Sequence, residues 1–406
     1  MGWYLYPKYY RKSDSVLSKR FIFLNSHPIQ YFTPLYEMMA DLPDVDVEVW
    51  YCSKQNVKLQ EDREFGKILA WDIPMLEGYR YKFFHNYARK PSLYSFWGLQ
   101  NWGILRQLIQ SPKSILIVNG WQFFIYFLAI LVGRFSGHTV CIRGESPLSR
   151  ELARSPQSQR LRKWLLGNVL FKFVHYFLYI GKQNREFYHF MGVPDKRLIF
   201  SPYCVDNKRF NFFLTKNDTE KSALRHQLGL PKNDVVILYS GKYISKKRPM
   251  DLLLAWQTLN TNNATLVLMG EGELRTEMEQ FIAQNNLHNV LLTGFVNQVQ
   301  IPAYYAAADL FVMCSDMGET WGLSTNEAMN LGLPLLLSDQ VGCTVDLLEE
   351  NINGYVYPFG DVASLAQHLK KIIEQPAWRA TASKRSLEII EDYSYKRVVQ
   401  NLLSIS

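Results

Sequence analysis

Short runs of β-branched and aromatic residues alternate with longer stretches of helical periodicity along the chain. Such runs occur in the first half at residues 21–25, 45–52, 114–119, 139–144 and 176–181. They occur in the second half at residues 235–241, 264–270, 289–295, 309–314, 333–338 and 354–358. This alternation predicts a parallel sheet with helices on both faces, and it occurs twice. We therefore predict an α/β protein with two doubly wound domains, in which a ligand binds between the facing carboxyl ends of the strands.

A polar, turn-forming segment at residues 202–234 separates the two patterns. Segments that link domains often have this composition, because few tertiary contacts cross them. We therefore predict a first domain at residues 1–208, a second at residues 209–382 and a final segment at residues 383–406.

The composition is that of a globular protein. Hydrophobic residues make up 48% and charged residues 20% of the 406 residues, which excludes a disordered, collagenous or coiled-coil protein. The five cysteines are far apart and lack the spacing of metal ligands, which favours a reducing compartment and argues against a structural metal. The first twenty residues lack the apolar run of a secretory signal, and the apolar window at residues 121–133 is too short to span a bilayer. We expect a cytoplasmic location and a buried helix in that window.

The net charge of +8 is unevenly distributed. Residues 1–209 carry 29 basic and 16 acidic side chains, or +13, and residues 210–406 carry 16 and 21, or −5. A basic half is compatible with nucleic acid, an anionic membrane or a phosphorylated small molecule. No nucleic-acid recognition motif is present and the basic residues are dispersed, so we expect no nucleic-acid partner. Residues 160–177 mix basic residues with Trp, Leu and Phe, which fits either a helix on anionic lipid or a core helix with basic edges.

Two glutamates flank a predicted strand-to-helix turn within residues 315–348. Glu319 lies in the turn, and Glu327 lies on a helix that is predicted to begin at about Ser324. Their separation is about 12 Å if the intervening chain is helical and up to about 28 Å if it is extended, which suits a sugar and a ribose joined by a diphosphate. The backbone N–H groups of residues 322–325 would then face the phosphates. An alternative remains open, because Ser324 and Glu327 also fit a capping box.

Residues 309–348 resemble the E-x7-E segment of retaining GT-B glycosyltransferases of glycosyltransferase family 4. Residues 240–256 are similar to that family's G-R/K-x4-K step, residues 266–278 to its strand followed by a G-x-G turn, and residues 291–315 to the stretch that lies against the nucleobase. Residues 202–206 look like a variant of its P-N-G-V-D linker.

This resemblance implies a GT-B fold, with two Rossmann-like domains facing each other across a cleft and the final segment crossing back to the first domain. It implies Glu319, Lys247 and Lys242 as catalytic residues, with Glu319 on the donor sugar and the lysines on the diphosphate. Glu327 would bind the ribose. The other donor-binding residues that it implies are Gly322, Leu323, Ser324, Thr325, Gly241, Gly270, Gly272, Phe295 and Val296.

The first domain departs from the family pattern at two places. No glycine follows the first strand at residues 24–32, where His27 and Gln30 stand instead. The histidine that many members carry after a later strand is also absent, and Arg143 and Glu145 stand there. These four residues are candidates for the acceptor or the donor sugar, and the choice between Arg143 and Glu145 as the replacement stays open.

The function that the resemblance implies is retaining sugar transfer from a UDP-, GDP- or ADP-sugar to an acceptor hydroxyl, with no metal and no cofactor. The acceptor would be a glycan or a lipid-linked glycan in bacterial-type polysaccharide, lipopolysaccharide or glycolipid synthesis. The basic first half favours peripheral binding to the inner face of an anionic membrane. Because the first domain departs from the pattern, a GT-B subunit that binds sugar nucleotides or serves as a scaffold, with weak or no catalysis, remains the alternative.

Overall fold

The computed structural model describes residues 19–55, 60–62, 67–69, 74–214 and 217–406. The N-terminal segment at residues 1–18, which is expected to lack a secretory signal, lies outside the described residues. The strands of the first half are β1 Lys19–Asn25, β2 Val45–Tyr51, β3 Gln60–Asp62, β4 Lys67–Leu69, β5 Arg80–Phe83, β6 Ile115–Val118, β7 Thr139–Arg143, β8 Tyr176–Tyr179 and β9 Leu198–Phe200. The strands of the second half are β10 Val235–Ser240, β11 Ala264–Met269, β12 Val290–Gly294, β13 Leu310–Met313, β14 Leu335–Ser338 and β15 Gly354–Tyr357.

Helices connect these strands in both halves. Those of the first half are α1 Thr33–Ala40, α2 Trp102–Gln110, α3 Phe124–Phe135, α4 Leu148–Leu152, α5 Pro156–Lys163, α6 Lys182–Phe190 and α7 Asn207–Asn211. Those of the second half are α8 Asp218–Gln227, α9 Pro249–Leu259, α10 Arg275–Gln284, α11 Ile301–Ala307, α12 Leu323–Asn330, α13 Thr344–Leu347, α14 Val362–Ile373, α15 Pro376–Ile390 and α16 Tyr395–Leu403. A π-helical stretch, Trp164–Val169, continues α5 and leads into the 3-10 turn Leu170–Phe173.

Two parallel sheets form the framework of the described residues. The first has the strand order β5-β2-β1-β6-β7-β8-β9, and the second has the order β12-β11-β10-β13-β14-β15. In each sheet the chain reverses its direction of winding beside the first strand, between β1 and β6 and between β10 and β13. Such reversal points open a crevice at the carboxyl ends of the strands. The prediction of two doubly wound domains facing a cleft is confirmed.

Each sheet is covered on both faces, and successive residues of a strand pack into different apolar clusters. Ile22 and Leu24 pack into one apolar cluster of the first domain, while Phe21 and Phe23 pack into another on the opposite face. Because successive side chains of a strand point to opposite faces, an almost continuous apolar run is needed at this position. The second domain is built in the same way, with its two clusters on either side of β10.

Every strand predicted from the sequence is present, and the structure adds others. The first sheet also contains β5 and β9, and β3 and β4 form a small antiparallel pair. The prediction missed β5 because its sequence, RYKF, alternates basic and aromatic residues at an exposed edge. The apolar window at residues 121–133 forms most of helix α3, whose inner face is buried. Among the helices that the structure describes, none combines the length and the apolar character that a bilayer crossing needs.

The last helix, α16, lies against the first domain. Val398 and Leu402 pack in the same apolar cluster as Leu35 of α1. Asn401 Nδ2 donates to the carbonyl oxygen of Phe200 at 2.7 Å. Helix α15 continues across residue 383, and the domain boundaries at residues 208 and 382 stay predictions.

Candidate active site

The two domains meet around a cavity of about 560 Å³, hereafter the interdomain cavity. It lies beyond the carboxyl ends of β1, β10, β11 and β13, so the reversal point of the second sheet, between β10 and β13, opens into it. The predicted site residues that line it are His27, Gln30, Gly241, Lys242, Lys247, Gly270, Phe295, Val296, Glu319, Gly322, Leu323, Ser324 and Glu327. Thr325 and Gly272 do not line it, and Arg143 and Glu145 line a neighbouring cavity.

Lys247 forms an ion pair with Glu319 inside the interdomain cavity. The ammonium group of Lys247 donates to Glu319 Oε2, and both side chains are mostly buried, with 19% and 15% of their surface exposed. Each partner compensates the charge of the other in a partly desolvated place. The pair therefore holds a cation and an anion at the wall of one cavity, where a ligand can exchange contacts with either.

The loop after β10 presents both predicted lysines. The Tyr239 hydroxyl donates to the carbonyl oxygen of Lys242 at 3.1 Å and to that of Lys247 at 3.4 Å. Arg248 then adopts a left-handed conformation, with φ of +52°, and α9 begins at Pro249. A buried tyrosine thus contacts the backbone of both lysines, near the start and the end of the loop.

Gly270 is required where two loops approach each other. A Cβ atom at Gly270 would lie 1.9 Å from the carbonyl oxygen of Gly241, a distance that no side chain tolerates. Gly272 has a similar steric role, because a Cβ there would lie 2.5 Å from the Tyr243 carbonyl oxygen. The G-x-G turn therefore brings the ends of β10 and β11 together, and only Gly270 of the two faces the interdomain cavity.

Helix α12 begins at Leu323, one residue before the predicted start. Its N-cap residue, Gly322, has φ of +99°, a left-handed conformation that favours glycine. No side chain caps this end, and the Glu327 carboxylate accepts hydrogen bonds from tyrosines instead. The capping-box alternative is therefore excluded. The N-terminus of α12 faces the interdomain cavity at residues 322–324, whereas the Thr325 side chain is fully buried.

Glu327 is almost completely buried and links the two domains. The Tyr305 hydroxyl donates to its carboxylate at 2.9 Å, and the hydroxyl of Tyr31, which lies between β1 and α1 of the first domain, donates at 3.4 Å. Burial raises the pKa of Glu327 to about 7, and these hydrogen bonds and the positive charge of Arg209 limit the rise. Near neutral pH the carboxyl group can therefore be neutral or ionised.

His27 and Gln30 bring the first domain to the same cavity. Burial lowers the pKa of His27 to about 4, so its imidazole is neutral at neutral pH. Its Nδ1 lies 2.9 Å from the Ser26 hydroxyl. Gln30 Oε1 is buried and has no hydrogen-bond partner among the described residues. Both side chains can make neutral hydrogen bonds to a polar ligand.

Arg143 and Glu145 line a second cavity of about 610 Å³, hereafter the first-domain cavity. The two side chains pair at 3.1 Å, with Arg143 7% exposed and Glu145 44% exposed. The Arg143 guanidinium also lies over the rings of Phe32 and Tyr203, 4.9 and 4.6 Å from their centroids. His27, Ile29 and Thr320 line both cavities, which are therefore neighbours.

No group of three or more His, Cys, Asp and Glu side chains within the described ranges is arranged to hold a metal ion. The expectation of a reaction without a metal stays a prediction. The chemistry that the interdomain cavity offers is a buried carboxylate, a lysine–glutamate pair, a second lysine and a helix N-terminus. Together these groups suit a ligand that has both hydroxyl groups and phosphates.

One known protein family matches part of the chain. Residues 220–389 match the family described as Glycosyl transferases group 1, and this range contains most of the residues around the interdomain cavity. The match covers most of the second domain and none of the first.

Curated relatives match the chain over about half of its length. The amylovoran biosynthesis glycosyltransferase AmsK of Erwinia amylovora is 30% identical over 226 residues, which is 52% of this chain and 52% of AmsK. A D-inositol 3-phosphate glycosyltransferase of Saccharomonospora viridis is 27% identical, over 53% of this chain and 50% of that protein. The chain thus spans about half the length of the curated relatives that it matches.

Solved structures match nearly the whole chain. Anabaena HepE in complex with UDP and glucose matches with a TM-score of 0.69 at 17% identity. The match covers 95% of this chain and 98% of the HepE chain. The sucrose-phosphate synthase of Thermosynechococcus elongatus matches with a TM-score of 0.63 at 18% identity, and the match covers 95% of this chain and 97% of the synthase chain. At this identity the likeness shows the fold, and the expected GT-B architecture is confirmed.

The sequence analysis missed the two tyrosines whose hydroxyls donate to Glu327. Tyr31 directly follows the candidate Gln30, and Tyr305 lies on α11 among apolar residues. Tyr31 could have been proposed as a site residue, because it lies in the segment that follows the first strand. Nothing near Tyr305 in the sequence marks it as polar, because its hydroxyl meets Glu327 only in the folded protein.

Proposed function

We propose that this protein is a retaining glycosyltransferase of family 4 that moves a sugar from a nucleotide diphosphate sugar to an acceptor hydroxyl without a metal. One observation carries the proposal: Glu319, Lys247 and Glu327 line one cavity between two Rossmann-like domains. A volume of about 560 Å³ is within the range of small-molecule sites. Residues 1–208 would then bind the acceptor and residues 209–382 the donor.

The donor would extend along the interdomain cavity. Glu327 would accept hydrogen bonds from the ribose hydroxyls, and the backbone at Phe295 and Val296 would lie against the nucleobase. Lys242, Lys247 and the N-terminus of α12 would bind the diphosphate, because backbone N–H groups and ammonium groups both favour anions. Glu319 would bind the sugar hydroxyls. HepE, whose fold this chain shares, is solved with UDP and glucose, so a UDP-sugar is the first donor to test.

The transfer would occur on one face of the sugar. The bond between the anomeric carbon and the β-phosphate oxygen breaks, and the acceptor oxygen forms a bond to the same carbon. The acceptor proton moves to the departing phosphate oxygen. Because the acceptor attacks the face from which the phosphate departs, the anomeric configuration is retained. Lys247 would stabilise the negative charge that develops on the diphosphate, and this stabilisation is greatest in a water-poor cleft. His27, neutral at neutral pH, would hydrogen-bond the sugar or the acceptor.

The proposed place of action is the inner face of an anionic membrane, in polysaccharide or glycolipid synthesis. Leu161, Trp164 and Leu165 are exposed by 59%, 56% and 46% along the continuous helical segment that begins with α5. Arg160 and Lys163 are exposed on the same segment. Apolar side chains interspersed with cations are typical of a helix that lies on anionic lipid.

Binding and product analysis test the proposed function. Thermal unfolding is measured with UDP-, GDP- and ADP-sugars and with the free nucleotides, because a ligand that binds the folded state raises its stability by mass action. We expect one nucleotide class to raise Tm and its sugar to be released slowly with the anomeric configuration of the donor. Failure of all nucleotides to bind would overturn the proposal. Binding without hydrolysis or transfer would identify a scaffolding subunit instead.

A further inference from the structure

The first-domain cavity is rich in arginine. Arg143, Arg150, Arg154 and Arg162 line it, and Glu145 is the acidic side chain among its described lining residues. Arg143 pairs with Glu145, which leaves three guanidinium groups on α4, α5 and the residues that connect them. This clustering is not visible as a run in the sequence, because the three residues are spread over thirteen positions, from 150 to 162.

One buried glutamate compensates part of this charge. Glu151, which is 2% exposed, accepts from Arg162 Nε at 3.0 Å and pairs with Arg154 Nε at 3.2 Å. Both arginines contact it through Nε, and their terminal nitrogens have no hydrogen-bond partner within the described residues. Four arginines and two glutamates leave a net charge of +2 around the cavity.

Arg150 differs from the other arginines of this cavity in that its side chain has no partner among the described residues. Its side chain is exposed at the cavity and makes no ion pair or hydrogen bond in the described part of the chain. Arg154 and Arg162 have a structural reason to be cationic, because each pairs with the buried Glu151. No such reason accounts for Arg150.

The cavity leads to the proposed reacting carbon. Its wall includes His27, Ile29 and Thr320, which also line the interdomain cavity. Thr320 directly follows Glu319, the proposed sugar-binding carboxylate. A molecule in the first-domain cavity can therefore direct a hydroxyl group toward the donor sugar while its far end meets the arginines.

We propose that the acceptor carries an anionic group, a phosphate or a carboxylate, which binds Arg150 and the free terminal nitrogens of Arg154 and Arg162. This inference rests on the proposed function. Guanidinium groups bind phosphate and carboxylate oxygens through two parallel hydrogen bonds, and they do so more strongly than they bind neutral hydroxyls. A neutral acceptor would leave the net positive charge of the cavity without a counterion.

Binding of defined probes tests the inference. Glucose 6-phosphate, glucuronate and neutral glucose are titrated by calorimetry in the presence of a saturating nucleoside diphosphate, which occupies the lysine site. In a second arm, the protein is sedimented with vesicles of phosphatidylglycerol or of phosphatidylcholine. The variants are Arg150→Ala, Arg150→Lys and, as a control, Arg106→Ala, which removes an exposed arginine of α2 that lines neither cavity.

We expect the anionic sugars to bind more tightly than glucose, with a loss of about ten-fold in Arg150→Ala, partial retention in Arg150→Lys and no change in Arg106→Ala. If only phosphatidylglycerol vesicles show binding that depends on Arg150, the anionic group belongs to a lipid headgroup and the inference holds. Equal binding of charged and neutral probes, or equal binding by native protein and Arg150→Ala in both arms, overturns it. Nucleotide binding by the native protein is measured separately by thermal unfolding, so the proposed function can hold or fail independently of this inference.

Discussion

The hydroxyl of Tyr31 in the first domain donates a hydrogen bond to the carboxylate of Glu327 in the second, at 3.4 Å. The Tyr31 carbonyl oxygen also accepts from the Tyr395 hydroxyl of α16 at 2.8 Å, so the residue is anchored on its own side of the cleft. The carboxylate that is proposed to bind the donor ribose therefore also joins the domains. Donor binding and the contact between the domains share one group.

The stability of the protein should depend on pH through Glu327. Burial raises its pKa from 4.5 to about 7, so the folded state favours the neutral acid. The contribution of this group to stability is therefore complete below pH 4.5 and is lost as the pH rises through about 7. Glu327→Gln cannot ionise and should gain stability relative to the native protein over this range, on the order of 3 kcal/mol.

Urea unfolding of both proteins at a series of pH values measures this difference. Glu374→Gln, at an exposed position at the end of α14, serves as the control for the loss of one negative charge. A stability difference between native protein and Glu327→Gln that is the same at both ends of the range would contradict the burial argument.

Lys247→Ala should lower the rate of transfer by about 10² to 10³, the usual loss when one donor to a developing negative charge is removed. The fold should persist, because Tyr239 holds the loop through carbonyl oxygens and not through the lysine side chain. Single-turnover kinetics measure the rate, and Lys370→Ala on α14 is the control for the loss of an exposed lysine. An unchanged rate in Lys247→Ala would make Lys247 a structural partner of Glu319 only.

The fold could be predicted from the sequence to a large extent, because the apolar runs of buried parallel strands are a local signal. Strand β9, Leu198–Phe200, was missed since three residues give too short a pattern. In the site, the spacing of Glu319 and Glu327 was visible in the sequence and the two glutamates do line one cavity. Whether Glu327 capped its helix could not be decided from the sequence, because a capping box and a ligand site require the same residue types.

The features that the sequence did not predict are contacts between segments that lie far apart in the chain. Tyr31 and Glu327 are 296 positions apart, and their hydrogen bond exists only once the two domains meet. The same holds for the first-domain cavity, where Arg143 and Arg162 come from different elements. Local periodicity carries no information about such pairings, whereas a resemblance to a family supplies only the residues that the family shares.

The two glutamates should differ in which kinetic constant they affect. Glu319→Gln removes the charge that pairs with Lys247 and should lower kcat while nucleotide binding changes little. Glu327→Ala should mainly weaken nucleotide binding, because it removes the carboxyl group that is proposed to accept hydrogen bonds from the ribose, and bonds to its ionised form are worth about 1.5 to 3 kcal/mol each. Steady-state kinetics and calorimetry with the free nucleotide separate the two effects. Normal turnover and normal nucleotide affinity in both variants would refute the assignment of this cavity as the active site.

Removal of the exposed aromatic side chain of Trp164 should weaken binding to anionic vesicles. Trp164 is 56% exposed, so Trp164→Ala leaves the packed core intact and removes apolar surface from the proposed lipid-facing segment. Phe212→Ala is the control, because Phe212 is 85% exposed and follows α7, on another part of the surface. Co-sedimentation should show less Trp164→Ala than native protein with phosphatidylglycerol vesicles, and binding of both should fall with added salt because the cations of this segment are screened. Equal sedimentation of native protein, Trp164→Ala and Phe212→Ala at low salt would argue that this segment does not contact the membrane.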